Sequence, residues 1–176
     1  MSRVLLPLAL FLASALAGGW ITLTAIPGVI MNKAMERIEA SAAASDGVRH
    51  APRLREDNQT IVRASPDILY SVCAFDLTEG DLGLTVPWPQ DGHYASISFY
   101  DARTNNFAVI SDREAGTPLS RITLVPAGEG LDDPSRIEAP TDRGLALYRR
   151  VIDADTDLDA ANAERQAFTC TRLSDQ

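Results

Sequence analysis

Residues 67–111, DILYSVCAFDLTEGDLGLTVPWPQDGHYASISFYDARTNNFAVIS, carry the reading that decides the fold class. Short runs rich in β-branched and aromatic residues are separated by turn signals about every 8 to 12 positions, the rhythm of a sandwich or barrel. Candidate strands are Leu69 to Asp76, Leu82 to Val86, Tyr94 to Asp101 and Phe107 to Ser111, with Thr60 to Arg63 before them. Glu79-Gly80-Asp81, Pro87 to Gly92 and Ala102 to Asn106 hold the residue types that turns require. From Tyr94 onward, alternation places Ala95, Ile97 and Phe99 on one side and Tyr94, Ser96, Ser98 and Tyr100 on the other, which predicts a half-buried strand.

Downstream, Arg121 to Pro126 and Ala146 to Ile152 are further apolar runs, the second with Arg149 and Arg150 inside it. One helix is predicted near the C-terminus. Thr156 serves as its N-cap with Asp159 three positions on, Leu158, Ala161 and Arg165 share a stripe, and the helix stops near Ala167. Phe168 to Leu173 then alternates as a last strand, with Phe168, Cys170 and Arg172 on one face. The expected fold is mainly β: an antiparallel, jelly-roll-like β-sandwich over residues 59–176, with one short C-terminal helix and one N-terminal transmembrane helix before it. No internal repeat is present.

From Val4 to Met31 no residue carries a charge, and as a helix this run extends roughly 42 Å, more than the ~30 Å hydrocarbon core of a bilayer. A cleavable signal peptide is the rival, because Arg3 supplies a positive start and Ala15-Leu16-Ala17 before Gly18 has the small-x-small pattern. Cleavage there would leave Trp20, Ile21, Leu23, Ile26, Val29, Ile30 and Met31 on a new N-terminus, a patch that soluble proteins seldom carry. Residues 1–31 are therefore expected to be an uncleaved anchor in a bacterial inner membrane, inserted through residues 4–31, with Pro27 and Gly28 bending its outer end. Lys33 and Arg37 face Arg3 across the span, so a bare count of basic residues favours a cytoplasmic domain. The export-signal-like start and the spaced cysteines favour the periplasm, which is the expectation adopted. Met31, Met35, Ile38 and Ala42 recur at helical spacing, so residues 32–58 are expected to hold a short juxtamembrane helix ending at Asp46-Gly47 and an exposed linker from Val48 to Asn58.

The 16 Lys and Arg are outnumbered by 24 Asp and Glu, and a net charge of −8 argues against a nucleic-acid or anionic-lipid surface. Cys73 and Cys170 lie roughly a hundred residues apart and form no CxxC or Cys/His cluster, so no metal site is expected. They are either a disulfide closing a long loop or two small buried hydrophobes in separate strands. There is no GxSxG elbow, no HExxH, no phosphate-binding glycine loop and no GxGxxG after a strand, and nothing calls for a cofactor. His93 is the sole histidine beyond the linker, so histidine chemistry would have to be built around it; the simpler reading is an exposed turn residue beside Gly92. Asp67, Asp76 and Asp101 sit at predicted strand ends, where aspartates accept backbone N–H bonds more often than they do acid/base work.

DILYSVCAFDLTEGDLGLTVP followed by HYASISFYDARTNNFAV resembles the bacterial family known as domain of unknown function 1254. The positions that fit its pattern are Asp67, Tyr70, Asp76, Leu77, Thr85, Val86, Pro87, Tyr94, Asp101, Thr104, Asn105, Asn106 and Phe107. RGLALYRRVIDADTDLDAANAERQAF also resembles the family's glycine-arginine strand and following helix. The chain departs from the pattern where Ser65 and Pro66 replace an Asn-Arg pair, Ile68 replaces Thr, His93 replaces Arg and Arg103 replaces Tyr. A polar site centred on the family's arginines would be altered here. Long members look like this β-domain followed by a second domain of unknown function, 1214; this chain ends before any such part, so the resemblance implies a separately encoded partner.

Two functions compete. One is a membrane-tethered binding or interaction module, with His93, Asn105 and Asn106 as candidate binding residues. The other is a small envelope hydrolase or lyase in which carboxylates and tyrosines from Asp67, Tyr70, Tyr94 and Asp101 converge. The missing catalytic signatures and the altered family positions favour the first.

Overall fold

The computed structural model describes residues 2–41, 47–55, 57–58, 64–128 and 133–173. The candidate strand from Thr60 to Arg63 falls on residues 59–63, outside the described residues. The fold is built around two long strands, β2 (Ile68–Asp76) and β8 (Arg143–Val151), in which every second residue is buried. They pair antiparallel from Ile68 opposite Val151 to Asp76 opposite Arg143. Leu69, Ser71, Cys73 and Phe75 therefore share an inner face with Gly144, Ala146, Tyr148 and Arg150. Gly144 is required in this register, since a Cβ there would collide with the Tyr100 carbonyl and the Phe75 ring.

Three more strands extend this sheet: β1 (Val48–His50), β4 (Ala95–Asp101) and β5 (Asn106–Ser111), in the order β1-β2-β8-β4-β5. The second sheet has the order β7-β6-β3-β9, from β3 (Leu82–Pro87), β6 (Leu119–Val125), β7 (Arg136–Glu138) and β9 (Thr169–Arg172). All pairs are antiparallel except β6 with β7. The two sheets share one core, in which Phe75, Leu84, Ile97, Phe99, Leu124, Tyr148 and Phe168 are buried. A disulfide between Cys73 on β2 and Cys170 on β9, with Cα atoms 6.3 Å apart, ties one sheet to the other. Two short helices complete the domain, α2 (Asp112–Ala115) and α3 (Leu158–Gln166).

At the N-terminus α1 (Ser2–Glu39) is one continuous helix and is long and apolar enough to cross a membrane. Its described side chains from Leu5 to Ile26 are exposed, whereas Met31, Met35 and Ile38 are buried against the domain. At roughly 1.5 to 3 kcal/mol for each fully buried side chain, these three hold the end of the helix to the sandwich. Glu39 Oε1 accepts from Arg143 Nη2 at 3.0 Å beside them.

Several expectations change. Val48–His50 was expected in an exposed linker; it forms β1, short of the boundary at residue 59, because Val48 fills an inner position opposite Cys73 and lies 1% exposed. The strand from Ala95 is buried on both faces, since Ser96 lies between Arg149 on β8 and Ser111 on β5, Ser98 lies between Leu147 and Val109, and Arg149 Nη2 donates to Ser98 Oγ at 2.9 Å. The N-cap of α3 is Asp157, whose Oδ1 accepts from the Asp159 and Ala160 amides at 3.1 Å each; Thr156 caps the preceding turn instead. The juxtamembrane helix is the end of α1 itself, and Pro27 sits within it.

Candidate functional site

At the β3–β4 end of the sandwich, the loop from Trp88 to Tyr94 and the loop from Ile152 to Asp157 form two walls, and α3 forms the base. Between them is an open cleft of about 490 Å³. Each wall is shaped by local turn chemistry. Asp91 Oδ1 accepts from the His93 amide at 3.1 Å, and Gly92 takes the positive φ of 84° that closes this turn. Opposite, Asp153 Oδ1 accepts from the Asp155 amide at 3.0 Å and from the Thr156 hydroxyl at 2.8 Å.

Charged side chains join the walls to the base. Arg150, inward-facing on β8 and 1% exposed, donates from Nη2 to Asp91 Oδ2 at 2.6 Å, from Nε to Glu164 Oε1 at 3.2 Å and from Nη1 to the Val151 carbonyl at 2.9 Å. Burial alone would raise the Asp91 carboxyl; the hydrogen bonds from Arg150 and from His93, with the Arg150 charge, outweigh it, and its pKa lies below the ordinary carboxylate value. Burial likewise disfavours the Arg150 charge, but the bonds to Asp91 and Glu164 overcome it and the guanidinium is held more firmly protonated. Behind them Tyr148 is fully buried, its ring 5.6 Å from Phe168 and its phenol pushed up by desolvation.

His93 lies 3.2 Å by Nδ1 from Asp91 Oδ2 on its own wall and 3.0 Å by Nε2 from Asp153 Oδ2 on the other. The hydrogen bond to Asp153 is the main reason its pKa is raised, with Asp91 adding to it, and the same bond brings Asp153 down to about 2. His93 thus ties two loops sixty residues apart in sequence, most strongly when protonated. On the far side of α3, Arg165 Nη1 donates to the Ala51 and Tyr70 carbonyls at 2.8 and 2.7 Å, and burial lowers its pKa. The cleft rim is acidic, with Asp155, Asp157 and Glu164 facing the same space as His93 and Arg150. Such a surface can take up a polar or cationic group. Among the described residues no three or more His, Cys, Asp and Glu are grouped to hold a metal ion.

The candidates named from sequence are dispersed. His93 is in the cleft. Tyr94 stands beside it, 38% exposed, with the Arg113 guanidinium carbon 5.8 Å from its ring centroid. Asp67 is exposed, its carbonyl accepting from the Ile152 amide at 2.9 Å, and the Tyr70 hydroxyl accepts from the Ser65 amide at 3.2 Å. Asp101, Asn105 and Asn106 are at the opposite end of β4. There Asp101 accepts from the Arg103 and Asn105 amides and from Asn105 Nδ2, each at 2.8 Å. Burial would raise this carboxyl, and the bonds from Asn105 and Arg103 bring it below the ordinary value. Asp67, Tyr70, Tyr94 and Asp101 therefore meet in no common cleft. Sequence reasoning missed Arg150, Asp91, Asp153 and Glu164. One signal was available: Arg149 and Arg150 are consecutive in a strand, so alternation must turn one of them inward, where it needs a carboxylate partner.

Fold and site define a two-sheet β-sandwich, disulfide-tied across the core, attached to a membrane-length helix and carrying a charged cleft at one end. The chain belongs to the family described as "Protein of unknown function (DUF1254)", whose model matches residues 46–172. Crystal structures that share the fold include two longer proteins. The VPA0106 protein from Vibrio parahaemolyticus aligns at a TM-score of 0.53 and 19% identity over 63% of this chain and 29% of its own. An uncharacterised protein from Burkholderia cenocepacia aligns at 0.56 and 16% identity over 91% of this chain and 42% of its own. The chain thus spans less than half the length of either. No curated protein matches it.

Proposed function

We propose that the protein is a membrane-tethered binding module, held at the bacterial inner membrane by α1 with its β-sandwich in the periplasm. In this reading the charged cleft receives a separately encoded partner that resembles the second domain, 1214, of long family members. The observation that carries the reading is the cleft itself: its walls are tied to each other and to its base by His93 and Arg150, while the candidate catalytic carboxylates and tyrosines are spread over both ends of the sandwich. A preformed, polar, paired surface is suited to recognition. The disulfide supports an oxidising compartment.

Crosslinking in intact cells, extraction of the tagged full-length chain in mild detergent and mass spectrometry test it. The expected result is co-purification of a 1214-type protein with wild type and its loss with D155K, a charge reversal on the exposed rim. Recovery of the chain alone, or equal recovery of the same protein with D155K, would refute the cleft as the docking surface. A thiol at position 117, exposed at the cleft end of the sandwich, that reacts with an impermeant maleimide only after the inner membrane is permeabilised would reverse the orientation.

A further inference from the structure

We propose that the β4–β5 turn, residues 102–106, rests in the lipid headgroup layer, fixed there by the packing of the end of α1 on the sandwich, with the Arg103 guanidinium against lipid phosphate. This rests on the anchoring reading above and adds a depth and a lipid-contacting surface on the folded domain.

The exposure profile of α1 marks where hydrocarbon must stop. Every described side chain from Leu5 to Ile26 is exposed, Pro27 and Gly28 are half-buried, and Met31, Met35 and Ile38 are buried, while Val29 and Ile30 on another face stay exposed. Positions 28, 31, 35 and 38 are three or four apart and form one helical stripe, which lies on the sandwich. A Cβ on Gly28 would meet the Ala102 carbonyl oxygen at 4.0 Å, and further along Glu39 pairs with Arg143 at 3.0 Å. Folded protein therefore lies against one face of the helix from Gly28 onward. Hydrocarbon cannot surround it there, because the polar turn would be left in lipid without partners for its backbone and side chains. The stretch from Leu5 to Ile26 is about 22 residues, or ~33 Å at 1.5 Å per residue, enough for the ~30 Å core.

Gly28 stands only ~3 Å beyond Ile26, and the headgroup region on each side of the core is roughly 5 to 8 Å thick. The turn that faces Gly28 is thus at the depth of that region. Arg103, Thr104, Asn105 and Asn106 are all exposed, and they present a guanidinium, a hydroxyl and two amides where phosphate and ester oxygens lie. The turn is held in shape by the three bonds to the Asp101 carboxylate, with Thr104 in the left-handed region at φ 70°. A net charge of −8 offers no general attraction to anionic lipid, so the helix sets this contact and a basic field does not. The cleft begins at the other end of β4, about 20 Å along the strand, clear of the lipid contact.

Nitroxide labels on R103C, D155C and L12C, each in the full chain in phosphatidylethanolamine/phosphatidylglycerol vesicles, read depth through collision with oxygen and with a water-soluble nickel chelate. The native cysteines are joined to each other and take no label. The label at 12 should collide with oxygen and exclude nickel, the label at 155 should be fully open to nickel, and the label at 103 should show nickel collisions several-fold below those at 155. A label at 103 as open to nickel as that at 155, with position 12 in hydrocarbon, would overturn the headgroup contact while leaving the anchor intact. Position 12 open to nickel would overturn the anchor and this contact with it.

Discussion

Removing the Cys73–Cys170 crosslink should take away a large part of the stability of the sandwich. The bond closes a loop with a sequence separation of 97, the span from β2 to the last strand. In the chain-entropy model a loop of this length restricts the unfolded chain by about 4 to 5 kcal/mol. A domain of this size has a total stability of roughly 5 to 15 kcal/mol, so the uncrosslinked form is expected to be marginal. Both cysteines are buried, at 1% and 5% exposure, and alanine at either site leaves only a small void. The double variant C73A/C170A in detergent micelles, unfolded by urea, gives the comparison. Trp88 is 2% exposed with its indole Nε1 bonded to Ser120 Oγ at 2.7 Å, so its fluorescence reports the core, and a W20F background removes the helix tryptophan. With m of about 1.5 to 2 kcal/mol/M, the midpoint should fall by roughly 2 to 3 M. A fall of less than about 0.5 M, or titration of two free thiols in the mature wild type, would refute the reasoning.

Asp101→Ala removes an acceptor for three 2.8 Å bonds and strands two backbone amides in the turn; the expected loss is about 2 to 3 kcal/mol in the same denaturation assay, and a change below ~0.5 kcal/mol would show that the turn does not need it. The His93 bridge should show as a pH dependence. Because its folded pKa is raised above the ordinary value near 6.5, protonated His93 contributes fully below about 6.5 and loses its contribution as pH rises through the raised value; Asp153, brought down to about 2, contributes above about 4 and loses it as pH falls towards 2. Wild type should therefore lose more stability between about pH 6 and about pH 8 than H93Q, and superimposable pH profiles for the two would remove the bridge.

Legibility in the sequence followed the physics of each segment. β2 and β4 could be read because alternation there is long and uninterrupted, and the family resemblance followed the same residues. β8 begins three residues before its apolar run, because Arg143 serves an ion pair and Gly144 a close backbone approach, and neither looks apolar. β7 has three residues and exists through parallel pairing with β6, a contact with no local signal. Val48–His50 read as linker because Pro52 and several charges follow it, while its strand character comes from β2 alongside. The cleft was hardest to see: Asp91, Arg150 and Glu164 are far apart in sequence, and only the inward turn of Arg150 in its strand hinted that carboxylates must come to it.

That inward arginine also explains why the cleft has a fixed shape. The apolar cluster beneath α3 consists of Leu69, Ile152 and Ala161, too little surface to orient a nine-residue helix on its own. Arg150 and Arg165 do the orienting, one reaching Glu164 and Asp91, the other reaching the Ala51 and Tyr70 carbonyls. Arg150 is buried but its partners Asp91 and Glu164 are 41% and 26% exposed, so the pairing adds little net stability, while withdrawing the carboxylates leaves a buried guanidinium short of partners at a cost of about 1 to 3 kcal/mol. Movement of α3 or of the Asp91 loop away from Arg150 is therefore resisted, although the pairing contributes little to overall folding. Charge pairing makes the cleft rigid where hydrophobic packing could not. A cleft held in this way would not have to order its own walls on taking up a ligand, in keeping with the recognition role proposed for it.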